Sequence, residues 1–391
     1  ISQSDLFIAV NTFLDTATGP SGFVQTCLWQ IGLQEGYDGN TLNTHMYYGI
    51  MPTSFRLFNL NPVYQARNNS SNQMYFLSLR NRSQENDSLF LFKITNSLAS
   101  GNAQLQMGYI QTQNKYFFNK LALQPHTDSL RTNDMRILSS FIKDNTIQYV
   151  HNITDTSTGN PAVYHGIINN VDFFPSAYGN YISDTVYNLA FPAIATLASA
   201  YGDEQSLITF CYSSPTHFAG FAGVYYNGQS YSEIKVLKEG VSAVSAINGN
   251  ERWGDYSGIQ QTYTEPCRAW AAGAYGKNNN YGSWVAQIAI HDTCQAIFQN
   301  INEVTLDDWQ VYPNPFNDII TLEFSLTETI TNGRIDICDI NGKTIYTIYE
   351  SKIKAGKNRL TINTDKLSTG MYFLQIKNER AIYAGSKIVK Y

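Results

Sequence analysis

A β-propeller of five to seven blades followed by a small Ig-like β-sandwich is the all-β architecture that this 391-residue sequence predicts. Three observations carry the prediction. Aromatic residues make up 14% of the chain and charged residues only 15%, against roughly 25% charged in an average soluble domain. A hairpin pattern recurs five times in the first 304 residues. Beyond residue 304 the composition changes, and short alternating strands separated by fixed turns fill the last 87 residues.

The recurring unit is an apolar strand with small residues, a polar turn and a second strand. It is read in Leu6 to Gln30, Tyr75 to Ile94, Ile137 to Ile153, Ile208 to Tyr226 and Trp270 to Ile288, with starts 62 to 71 residues apart. In Ser88-Leu-Phe-Leu-Phe-Lys-Ile94 and Ser283-Trp-Val-Ala-Gln-Ile288 every other residue faces one side. Between the hairpins, Met46 to Ile50, Lys115 to Leu123 and Ser232 to Leu237 supply further strands. Successive four-stranded sheets that cannot bury both faces alone are the sequence form of a propeller. Known propeller repeats run nearer about 40 to 50 residues, so a long period has room for two blades and the expected count is five to seven. A pair of β-sandwiches is the competing architecture, and it calls for a composition break near residue 150 that is absent.

Charge marks the domain boundary. Residues 1–304 hold 36 charged side chains and residues 305–391 hold 21, while all six histidines and four of five cysteines fall in the first part. Two domains, 1–304 and 305–391, follow. A net charge of -5 excludes nucleic acid as a partner, because nothing neutralises a run of phosphates. The longest nearly apolar run, Leu189 to Ala200, spans 12 residues and contains Pro192, whereas a membrane-spanning helix needs about 20. No basic and apolar leader opens the sequence, so any signal peptide is expected to have been removed ahead of Ile1.

Chemistry is harder to place. A glycosidase needs two carboxylates about 5 to 10 Å apart. Glu251, Asp255, Asp38 and Glu265 stand in distinctive settings, but no spacing ties a pair together, which leaves Asp255 and Glu251 as weak catalytic candidates. The structural reading of Asp255 with Arg252 is a buried ion pair or a carboxylate capping a turn between blades. His126, His151, His165 and His217 lack metal-ligand spacing, and neither a Gly-x-Ser-x-Gly elbow nor a phosphate loop occurs, so no metal and no cofactor is expected. Tyr225, Tyr226, Tyr275 and Tyr281 are candidates for stacking on sugar rings, the alternative being that they fill space between sheets. Cys267 and Cys294 flank one predicted hairpin and are placed either to pair or to pack as buried thiols.

Glu251-Arg-Trp-Gly-Asp-Tyr-Ser-Gly258, with Arg268-Ala-Trp-Ala-Ala-Gly-Ala-Tyr275 and Tyr281-Gly-Ser-Trp284, resembles the last blade of a group of secreted bacterial propeller proteins. That resemblance speaks to fold and not to activity. Asp87-Ser-Leu89 and Asp184-Thr-Val186, like two further triplets from Asp15 and Asp128, resemble O-glycosylation sites of exported Bacteroidetes proteins.

The C-terminal part opens on Val311-Tyr-Pro-Asn-Pro-Phe316, where two prolines fix φ and prevent helix. Strands follow at Thr321 to Ser325 and Arg334 to Ile337. Asn341-Gly342 supplies the positive φ of a tight hairpin before Lys343. Leu367-Ser-Thr-Gly-Met-Tyr372 adds a turn and a strand, and Ser386-Lys-Ile-Val-Lys-Tyr391 ends the chain; about seven strands make a small Ig-like sandwich. Tyr312, Pro313, Asn314 and Pro315, then Gly342 and Lys343, Gly370 and Tyr372, and finally Lys387, Val389 and Lys390, together resemble the type A C-terminal sorting domain of the Bacteroidetes type IX secretion system. One departure is the extra Tyr391.

The resemblance implies passage through the periplasm, recognition by an outer-membrane β-barrel shuttle and its translocon, and a secreted or cell-surface destination. Strand addition by the terminal segment is the expected mode of recognition. For the propeller, the expected role is non-enzymatic binding or adhesion to a glycan or surface protein. The alternative is a carbohydrate-active hydrolase or lyase.

Overall fold

The computed structural model describes residues 2, 4–16, 22–51, 57–65, 73–125, 129–197, 204–246, 249–262, 267–291, 295–297, 306–327, 329–339, 344–377 and 382–391. The chain divides into two compact units, Ile1–Asn300 and Ile301–Tyr391.

The first unit is a β-propeller whose described strands group into five successive antiparallel blades. Blade one holds β1 (Asp5–Phe13) and β2 (Phe23–Gly32), then a short helix α1 (Leu33–Tyr37) and β3 (Thr44–Tyr47). Blade two begins at β4 (Asn61–Pro62), and after β5 (Tyr64–Gln65) continues through β6 (Met74–Leu79), β7 (Glu85–Ile94) and β8 (Leu105–Phe117). Blade three is β9 (Ile137–Lys143), β10 (Thr146–Thr154), β11 (Pro161–Asn169) and β12 (Ser176–Ile182), with β5 added parallel to β9. Blade four is β13 (Asn188–Thr196), β14 (Ser206–Ser214), β15 (His217–Tyr226) and β16 (Lys235–Lys238). Blade five is β17 (Gly258–Gln261), β18 (Arg268–Lys277), β19 (Asn280–His291) and β20 (Gln295–Ile297). Blades two and three fuse into one nine-stranded sheet through a single parallel pair, Thr112 with Ala177, between β8 and β12. Each predicted hairpin supplies two adjacent strands of one blade, and among the described residues each long period folds as one blade and not two.

Local chemistry explains the turns and the packing. Asp144 and Asn145 take φ of 50° and 65° between β9 and β10, and Asn278 and Asn279 take 55° and 56° between β18 and β19, the left-handed pair that a two-residue hairpin requires. Pro192 is accommodated in β13 at a register shift between Ala190 and Ala193. An aromatic ring lies over a glycine again and again: a Cβ on Gly166 would sit 2.0 Å from the Tyr149 ring, on Gly179 2.1 Å from Tyr164, on Gly220 2.6 Å from Tyr212 and on Gly273 2.1 Å from Phe221. The first three pairs lie within a blade, and the last joins blade four to blade five. Removing the Cβ is what lets a ring lie flat between two sheets.

The second unit is a sandwich of seven described strands. One sheet runs β21 (Leu306–Tyr312), β22 (Ile319–Leu326), β25 (Gly356–Asn363); the other runs β24 (Thr344–Ile353), β23 (Ile330–Cys338), β26 (Gly370–Lys377), β27 (Ile382–Lys390). Phe316, Leu322, Phe324, Ile335, Ile337, Leu374, Ile376 and Ile388 fill the space between them. Cys27, Cys211 and Cys338 carry free thiols, whereas Cys294, one half of the candidate pair with Cys267, lies outside the described residues.

Candidate functional site

In the C-terminal unit the predicted signal residues converge on the last strand. Prolines at 313 and 315 have no N–H to give, so the Tyr312–Phe316 opening bonds through what remains. The Asn314 side chain donates from Nδ2 to the Lys387 carbonyl at 2.8 Å and accepts at Oδ1 from the Val389 N–H at 3.0 Å. Phe316 N–H donates to the Val389 carbonyl at 2.9 Å, and Tyr391 N–H to the Phe316 carbonyl at 3.0 Å. On its other side the same segment pairs with β26, from Phe373 opposite Lys387 to Gly370 opposite Lys390.

Side chains complete the closure. Lys390 is buried, its ammonium donating to the Thr364 carbonyl and lying 3.8 Å from Asp318. The Tyr372 hydroxyl donates to the Ser368 carbonyl at 2.8 Å, holding the turn that opens β26. Tyr312 donates to Glu323 at 2.7 Å. Lys387 and Tyr391 face solvent. Gly342 and Lys343 lie outside the described residues. From Lys387 to Lys390 the terminal segment, whose expected mode of recognition is strand addition, is thus hydrogen-bonded on both sides, because the Asn-Pro opening folds back along it.

In the propeller, the Glu251 to Tyr256 segment and the β18–β19 hairpin line a pocket of about 460 Å³. Glu251 forms its fully buried wall: its backbone bonds to Ser129 and Arg131, and its carboxylate accepts from the Ala246 N–H at 3.0 Å. Trp253 is buried too, donating from Nε1 to the Arg131 carbonyl at 2.9 Å, its ring edge-on to Phe191. Gly254, at φ 71°, lets the chain pass over the Phe191 ring, which a Cβ would meet at 2.5 Å. The rim is wet: Arg252 and Asp255 pair at 2.9 Å, and Tyr256 and Tyr281 are 93% and 51% exposed. Ala272, Ala274, Asn280 and Ser283 complete the lining.

Sequence had brought Glu251, Asp255 and Tyr281 forward, and the fold places all three at this pocket. It buries the other tyrosines. Tyr225 donates to Gln205, Tyr226 donates to the Gly228 carbonyl and packs edge-on to His165, and Tyr275 lies beneath the Lys238 ammonium at 5.1 Å. Tyr256 was missed; its signal was an aromatic directly after Asp255 in a turn. Asp38 accepts from Gln34 at the surface, and Glu265 and His126 lie outside the described residues. His151 and His165 are sealed between blades, where burial holds their pKa down to about 4 and about 3. His217 bonds Ser214 at 2.9 Å. Of the serine and threonine triplets, Ser88 is buried against Asn86, whereas Thr185 is exposed.

Residues 310–391 match the family model of the secretion system C-terminal sorting domain. No curated protein matches the chain. Among solved structures it is similar to a glycoside hydrolase (8% identity, 99% of this chain and 97% of that one, TM-score 0.23). A levansucrase mutant from B. megaterium (8% identity, 86% and 87% covered, TM-score 0.24) and dimeric latent PorU from Porphyromonas gingivalis (9%, 88% and 35%, TM-score 0.19) are also similar. Likenesses this distant carry no argument about activity. The sorting domain makes the chain a substrate of type IX secretion, engaged by that machinery and destined for export to the surface or the medium. Among the described residues no helix is long and apolar enough to cross a membrane.

Proposed function

We propose that the propeller binds glycan without cleaving it, in the blade-five pocket, and that its sorting domain delivers it to the outer-membrane β-barrel shuttle. The observation that carries the glycan reading is the pairing of two exposed rings, Tyr256 and Tyr281, with hydrogen-bonding side chains of Arg252, Asp255, Asn280 and Ser283 around a small alanine floor. Aromatic faces stack on the C–H faces of sugars while planar polar groups meet the hydroxyls. Glycoside hydrolysis needs two carboxylates facing one bond. Of the two at this pocket, Glu251 is turned to the Ala246 amide, which leaves Asp255 at the solvent.

The full chain incubated with immobilised polysaccharides, read for retention and for new reducing ends, tests this. Retention that falls about tenfold in Tyr281→Ala, with no reducing ends released, is the expected result. Reducing ends that vanish in Asp255→Asn would establish the hydrolase alternative instead. For export, deletion of Lys387 to Tyr391 is expected to leave the protein in the periplasm, and surface display of that deletion would overturn the role given to the terminal strand.

A further inference from the structure

Loop 170–175 joins β11 to β12 and is fastened from several sides. Val171 is buried in the core between blades two and three, and its N–H donates to the Asn145 carbonyl. The Asp172 N–H donates to Asn145 Oδ1, and its carboxylate accepts from Tyr75 and from Lys93, both at 2.6 Å. Phe173 N–H closes a turn onto the Asn170 carbonyl at 2.9 Å. Upon this base stand two rings with almost no cover: Phe173 is 75% exposed and Phe174 95%. Phe174 also sits at φ 52°, a conformation that a bulky side chain rarely takes. An anchored loop that spends backbone strain to hold two phenyl rings in water is built for a contact.

We propose that Phe173 and Phe174 form an insertion tip that docks the propeller onto the apolar layer of a lipid surface. Phenyl rings have no polar handle, and the charged groups at the base of the loop are engaged: Asp172 with Tyr75 and Lys93, and Lys143 with Asp144, while Asn145 holds Val171 and Asp172. Sugar recognition needs several polar groups converging on the hydroxyls, and the charged side chains at the base of this tip are spent on one another. The ion pairs also leave the base of the tip neutral, which suits an apolar layer and gives no reason for salt dependence. Two rings of about 150 to 250 Å² each fall well short of the roughly 800 Å² per side of a standard protein interface, whereas a convex wedge suits a deformable medium.

Flotation of the full chain with phosphatidylcholine vesicles tests the proposal. Binding is expected to persist at high salt, to fall by about tenfold for Phe174→Gly and by about a hundredfold when Phe173→Ser is combined with Phe174→Ser. Phe174→Gly should also raise the melting temperature, since glycine adopts φ 52° without strain. Tyr281→Ala is expected to float normally, which separates this tip from the blade-five pocket. A wild type that floats no better than the double variant overturns the proposal. So does a double variant that loses polysaccharide retention while its flotation is unchanged, an outcome that gives the tip to sugar.

Discussion

The propeller and the sorting domain are both antiparallel β structures, yet they exclude water by different means. In the sorting domain β22 alternates, with Ile320, Leu322, Phe324 and Leu326 inward and the residues between them at least partly exposed. One wet face per sheet lets aliphatic side chains do the packing and leaves charge outside. In the propeller, β10 and β13 are buried along nearly their whole length because neighbouring blades cover both faces. Such a strand must put its polar residues inside as well. The result is a core of tyrosine and histidine, with Tyr116, Tyr149, His151 and Tyr164 in mutual ring contact over glycines. Density is gained there at the cost of titratable groups in the dark.

Acid should separate the two units most. His151 and His165 are held neutral by burial, so the stability they permit is whole above the ordinary histidine value and is lost as pH falls below it towards 4 and 3. By pH 5 the propeller should have lost about 2 kcal/mol for each histidine. The contribution of Asp336 in the sorting domain is also lost on acidification, but in a lower pH window. Burial alone would raise its pKa, but the hydrogen bond from Lys377 at 2.7 Å, helped by Thr347 and Arg334, keeps it lowered. Its contribution is present above the ordinary carboxylate value and goes only in stronger acid. Hydrogen exchange at pH 7 and pH 5, read separately in blade three and in β23, checks this; equal losses in both would break the comparison.

Packing comes next. Gly166→Ala places a Cβ against the Tyr149 ring, and about 2 to 3 kcal/mol of propeller stability should go, with exchange in the sorting domain unmoved. A smaller effect is expected from Asn314→Ala, which removes both side-chain bonds to the terminal strand: about 1 to 2 kcal/mol, seen as faster exchange at the Val389 amide. Smallest is Arg252→Ala. Its pair with Asp255 is exposed, so thermal stability should change by less than about 1 kcal/mol while glycan retention weakens, a split that calorimetry and affinity chromatography would reveal.

Much of this molecule was legible before folding. Strand periodicity and the ordered sorting motifs are local, because neighbours in sequence set backbone geometry and face; hence the hairpins, the all-β class and the C-terminal sandwich could be read directly. Glu251 and Asp255 looked alike as acids four positions apart. Only the tertiary structure turned one to the Ala246 amide and left the other at the rim with Arg252. Likewise Tyr275 and Tyr281 carry the same ring, and which one meets water depended on the blade packed against each. The Asn314 clamp on Lys387 and Val389 spans over seventy residues, and the Phe173–Phe174 tip owes its rigidity to Tyr75, Lys93 and Asn145 from other strands and turns. Solvent exposure and hydrogen-bond partners are properties of surfaces brought together from distant segments, so sequence spacing determined the elements and only their packing decided which side chains are left for function.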